Sequence, residues 1–149
     1  MKRDPALASL SRDHHQALFV AQRLRKATAE TAADGRGRFL EFWRGHGEDH
    51  FRLEEDVLLP AYAPYGDAHH PLVARALCDH VEIRGRAAAV AGQEAVTPEA
   101  LQQLGTRMAE HVRLEERELF PLIEAALPQD RLAAVGAALD EAERALHGG

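Results

Sequence analysis

The sequence predicts an all-α protein: an up-down-up-down antiparallel four-helix bundle with an additional C-terminal helix. Three observations predict it. Apolar residues recur with helical period rather than strand alternation. Proline and glycine signals divide the 149 residues into stretches of helix length. An eleven-residue phrase, His50 to Pro60, returns as His111 to Pro121, 61 residues on, with seven positions identical. The chain therefore reads as two helical hairpins, and short loops make successive helices antiparallel.

Asp4-Pro5 is a cap followed by proline at the first helical position, so it opens the first helix, which runs to about Glu30. Leu7, Leu10, Ala17, Leu18, Ala21 and Leu24 form its apolar face. Asp34-Gly35-Arg36-Gly37 is expected to break the chain before a second helix, about Arg38 to Leu59, stopped by Pro60. Pro64 and Gly66 mark a loop. A third helix runs from about Ala68 to Ala91, with Val73, Ala76, Leu77, Ile83 and Ala87 inward. Thr97-Pro98 repeats the cap signal for a fourth, which Pro121 ends or kinks. A last amphipathic helix, about 129–147, carries Leu132, Val135, Leu139 and Leu146 and is read as packing or a homodimer contact. Residues 1–149 are expected to be one domain, the bundle covering about 5–125.

A net charge of −6 disfavours nucleic acid or an anionic membrane as partner. No stretch approaches a span of about 20 apolar residues, and no secretory signal follows the charged N-terminus. The single Cys78 fits a reducing compartment, so cytoplasm is the expected location.

Each copy of the phrase sets a His four residues before a Glu: His50 with Glu54, His111 with Glu115. On a helix such a pair shares one face. Asp13-His14 and Asp79-His80 repeat as well, each ahead of its own His-x-x-x-Glu helix. His14 lies nine residues after Pro5 and His80 nine after Pro71, while His50 and His111 lie ten before Pro60 and Pro121. At about 1.5 Å per residue all four histidines fall about 14 Å from one end of the bundle. Four imidazoles and two carboxylates at one depth on core-facing stripes would be costly unless a metal compensates them.

The six candidate ligands are His14, His50, Glu54, His80, His111 and Glu115. Six exceed a tetrahedral zinc site and fall short of two octahedral ions. If both glutamates bridge, they fill about eight of twelve positions, and an oxo or hydroxo bridge fills about two more. The remaining open positions would suit O2, NO or peroxide. Two alternatives stay open: a di-iron enzyme acting on peroxide or Fe(II), and a zinc-binding structural bundle.

These motifs resemble the hemerythrin-like (HHE cation-binding) domains over about residues 5–125. The resemblance implies a non-haem di-iron centre, two Fe ions held by those six residues. Oxygen-carrying members are similar except for a second His where this chain has Arg84, and a His-x-x-x-x-Asp where it has His111-x-x-x-Glu115. The set is thus closer to relatives used in sensing iron or oxygen, in NO response and in iron–sulfur repair. Outside it, His15 is expected to point away, and His46 could be a spare ligand. Glu55 and Glu116 are solvated or partner the ligand histidines. His69, His70, His147, Tyr62 and Tyr65 are surface candidates, with a tyrosine as a conceivable lid.

Overall fold

A computed structural model describes residues 2–147. Helices account for the regular structure, and there is no strand among the described residues. The chain enters through a 3₁₀ turn, Pro5–Leu7, capped by the Asp4 carboxylate, which accepts from the Ala6 amide at 2.9 Å. Helix α1 follows (Ala8–Arg25). Then come α2 (residues 32–62), α3 (Pro71–Gly92), α4 (residues 98–126) and α5 (Gln129–His147). The caps of α3 and α4 are local: His70 Nδ1 accepts from Leu72, and Thr97 Oγ1 from Ala100.

Two expected boundaries move. The first break falls at residues 26–31, not at Asp34–Gly37, which lies within α2. Thr28 and Thr31 exchange hydroxyl–amide bonds there and offer the backbone a local alternative to helix. Two glycines cost a helix only about 1 kcal/mol each. Arg36 between them donates to the Val90 and Ala91 carbonyls at the end of α3, and Arg38 pairs with Asp34.

Pro60 and Pro121 end nothing either. A π turn precedes each, Glu54–Leu58 and Glu115–Leu119, and helix continues to Tyr62 and Ala126. A proline ring presses on the carbonyl four residues back; a turn widened by one residue makes room for it. A third π turn, Trp43–Gly47, has no counterpart in α4.

The four long helices touch in a closed ring: α1 with α2, α2 with α3, α3 with α4, α4 with α1. The tightest contact is α1 on α4, where a Cβ at Gly105 would sit 2.6 Å from the Ala21 carbonyl oxygen. The core has two parts. One holds Phe39, Trp43, Phe51, Leu104 and Met108; the other holds Leu10, Leu58, Tyr62, Leu119 and Phe120. Helix α5 covers the second with Leu132, Val135 and Leu139, while Leu146, expected on that face, is exposed. Leu77 is also exposed, because the α3 stripe runs through Val73, Ala76, His80 and Ile83 one position away. No helix among the described residues is long and apolar enough to cross a membrane.

Candidate metal centre

Among the described residues the buried polar side chains are Ser11, His14, His50, Glu54, His80, His111 and Glu115. Their depth follows from the spacings to the four prolines, and their phase from the apolar stripes they interrupt. The structure brings all six candidate ligands together.

The glutamates divide their oxygens between two pairs of histidines. Glu54 Oε2 lies 3.0 Å from His50 Nε2 and 3.9 Å from His14 Nε2, and its Oε1 lies 3.0 Å from His80 Nε2. Glu115 Oε1 lies 2.9 Å from His14 Nε2, and its Oε2 lies 3.3 Å from His111 Nε2 and 3.7 Å from His80 Nε2. Two groups result, each able to hold a cation: His14, His50, Glu54 and Glu115, and Glu54, His80, His111 and Glu115. Both glutamates belong to both groups.

The outer ring nitrogens are occupied in a repeating way. His50 Nδ1 donates to Asp13 at 3.0 Å and His111 Nδ1 to Asp79 at 3.1 Å. His14 Nδ1 donates to Glu116 at 2.9 Å and His80 Nδ1 to Glu55 at 2.5 Å. A proton fixed on Nδ1 turns the Nε2 lone pair inward and makes the imidazole a better donor to a cation. Each of these four carboxylates, one position from a candidate ligand, thus braces a histidine on a neighbouring helix. Beyond them, Ser11 Oγ donates to Glu116 at 2.8 Å, the Arg84 guanidinium to both oxygens of Glu55, and Arg107 approaches Asp79 at 3.5 Å.

Both Glu54 oxygens, His80 Nε2 and His111 Nε2 are buried without a hydrogen-bond partner. They approach one another closely but at angles that make no hydrogen bond. Adjacent ligands on an octahedral ion with bonds of about 2.1 Å stand about 3 Å apart. The donor set, its spacing and its orphaned atoms therefore fit cations. In the metal-free protein, protons take part of that role. Burial works against the charged imidazoles, but the carboxylates outweigh it. Glu115 and Glu54 raise His80 to about 9; Glu115 and Asp79 raise His111 to about 10. His14 and His50 are raised for the same reason. Burial would raise Glu115, yet His111 beside it holds it well below the usual carboxylate range.

Of the residues outside the six, His15 and His46 are exposed and join neither group, and His69 is exposed. Tyr62 is buried in the apolar core and donates to the Asp67 carbonyl, whereas Tyr65 is exposed. Glu55 and Glu116 hold histidines, the second of the two roles expected for them. The bracing by Asp13 and Asp79 was missed, although their repetition beside His14 and His80 was the available signal. Arg84 braces Glu55 and lies over the Phe51 ring at 5.5 Å.

Fold and site together define a helical-bundle protein whose interior could hold cations. Comparison with protein families agrees: the Hemerythrin HHE cation binding domain matches residues 6–123, and the chain belongs to that family. The comparisons with curated proteins and with solved structures gave no match.

Proposed function

We propose that this protein is a non-haem di-iron protein that binds or senses O2, NO or iron. In this reading residues 1–149 form one hemerythrin-like domain, an up-down-up-down bundle with an added helix, working in the cytoplasm. His14, His50, Glu54, His80, His111 and Glu115 would hold the irons.

The observation that carries the reading is the sharing of Glu54 and Glu115 by both four-residue groups. Carboxylates that face two histidine pairs at once suit two cations side by side. Bound iron would supply reversible redox chemistry and exchangeable coordination positions. The chain's own part is to orient and to compensate. Asp13, Asp79, Glu55 and Glu116 aim the imidazoles and add negative charge that four neutral histidines lack. Phe51 and Phe120, stacked on His80 and His14, keep water from two of the rings.

Metal analysis after anaerobic iron loading tests the proposal, read with optical spectra before and after O2 or NO. Two irons per chain are expected, one for each group of four. Failure to take up iron, or zinc alone at one per chain, would leave the structural zinc bundle as the better reading.

A further inference from the structure

Two histidines outside the buried layer stand side by side on the surface. His46 lies in the π turn of α2 and His147 in the last turn of α5, and their ring centres are 5.7 Å apart. The backbones bring them together, because residues 48–53 of α2 pack against α5. The buried layer does not call for a histidine at position 46. At the 61-residue offset of the repeat its counterpart is Arg107, which pairs with Glu82 and Glu110. His46 is therefore an addition to the duplicated frame.

Carboxylates accompany both histidines at helical spacing. Asp49 follows His46 by three residues, and its Oδ2 lies 3.5 Å from His147 Nε2. On α5, Asp140, Glu143 and His147 succeed one another at intervals of three and four, so they share a face. These three residues, with Arg144 and His46, line one surface groove. Three carboxylates against one guanidinium make the place negative. Each helix thus offers an imidazole and a carboxylate to the same point.

Two imidazoles with two carboxylates suit a tetrahedral Zn2+. With Zn–N bonds of about 2.0–2.1 Å, two imidazoles on one such ion have ring centres about 5 Å apart. The donors are more loosely gathered than those of the buried groups, whose atoms lie within 4.8 Å of one another. His46 and His147 are exposed, so changes of rotamer close the gap without moving the core. We propose that His46, Asp49, Glu143 and His147 form a separate surface site for one divalent transition ion, Zn2+ foremost, which fastens the last turn of α5 to α2. The site goes beyond the function proposed above and does not depend on what the buried layer holds.

Zn2+ alone is the probe. Equilibrium dialysis compares the full wild-type chain with His46→Ala, His147→Ala and, as a control for scattered surface binding, His69→Ala. The buried layer is the same in all four, so its occupant cancels. Wild type and His69→Ala should bind one ion about 100-fold more tightly than the other two, at least the cost of losing a carboxylate behind a ligand. In histidine-ring nitrogen spectra, His46 and His147 should shift together on addition of Zn2+. Amide exchange over residues 140–147 should slow in wild type and not in His46→Ala. Equal zinc binding in all four proteins overturns the site, as do shifts of the two rings at different zinc concentrations. Loss of the ion in His69→Ala as well would mean adventitious binding by surface histidines and would overturn it equally. A bound ion that leaves exchange over 140–147 unchanged overturns the fastening of α5.

Discussion

The two halves of the polar layer use the same inner atoms and different supports. In the first hairpin, Asp13 braces His50 and lines a small apolar cavity; in the second, Asp79 braces His111 and is approached by Arg107. Glu55, from the first, is gripped by the Arg84 guanidinium, whereas Glu116 leans on the Ser11 hydroxyl. One side of the layer borders the apolar space lined by Trp43 and Phe51, and on the other the Phe120 ring stacks on His14. A repeated frame supplies the chelating atoms. Its divergent flanks set how firmly each is held.

The largest effect should come from removing what both halves share. Stripping metal leaves orphaned both Glu54 oxygens and the His80 and His111 Nε2 atoms. At about 1–3 kcal/mol for each buried unsatisfied group, the loss is several kcal/mol. For a domain of this size that lowers Tm by about 10 °C or more, read by calorimetry with and without chelator. An unchanged melt would contradict the assignment. The metal-free state should also respond to pH in a defined direction. Imidazoles raised to about 9 and 10 at His80 and His111 give stability that is complete below their unfolded value, about 6.5, and lost as pH rises through 9–10. Glu115, lowered, acts oppositely: its contribution is present above about 4.5 and lost as pH falls through its folded value. Metal-free melts should therefore be highest in mildly acidic buffer and fall toward pH 10, and metal uptake should release protons.

Next in size are the bridges against the terminal ligands. Glu54→Ala and Glu115→Ala each strip a group from both cation positions, so metal content should drop from two per chain to one or none in either variant. His50→Ala and His111→Ala each touch one group only. They should lower content at one position and spare the other, as metal analysis at matched loading would show. Equal losses in all four variants would mean that the halves do not act as separate positions.

Most of this arrangement was legible because it is written twice. The duplicated phrase and the proline spacings place His14, His50, His80 and His111 at one depth, and four inward stripes place them in phase. The breaks expected at Asp34–Gly37 and at Pro60 were misread, because proline and glycine act through context. A π turn accommodates Pro60 and Pro121, and Arg36 ties the Gly35–Gly37 segment to α3. Leu77 was misplaced by one helical position, within the width of an apolar stripe. Arg84, Ser11 and Arg107 were invisible as supports because each acts across helices, and single-chain spacing carries no record of who faces whom. The π turn at Trp43–Gly47 adds a single residue, which leaves no periodic signature.

Smaller still are the braces. Glu55→Gln and Glu116→Gln should each weaken metal affinity about 10- to 100-fold, the usual cost of losing a carboxylate behind a ligand histidine. Competition with a calibrated chelator measures it. The halves should diverge here. Glu55→Gln also leaves Arg84 without its carboxylate, so adding Arg84→Gln to it should cost little more, and a fully additive double mutant would break the proposed chain of support.

The finest distinction lies between two of the outermost supports, Arg84 and Ser11, and the charged one should be the weaker. Arg84 and Glu55 are about a third and a quarter exposed, so solvent screens the pair and its worth is about 1 kcal/mol or less. Ser11 is only 9 % exposed, and its hydroxyl donates to a carboxylate, a bond worth about 1.5–3 kcal/mol. With Tm moving about 2–4 °C per kcal/mol, Ser11→Ala should lower the melt of the loaded protein by about 5 °C and Arg84→Gln by about half that or less. Salt separates the two mechanisms. At 1 M the screening length shrinks to about 3 Å, so the Arg84→Gln difference should fade while the Ser11→Ala difference persists. If both shifts fade together, Ser11 acts through the nearby Arg3, whose guanidinium lies 3.8 Å from Glu116, and the neutral support is not neutral after all.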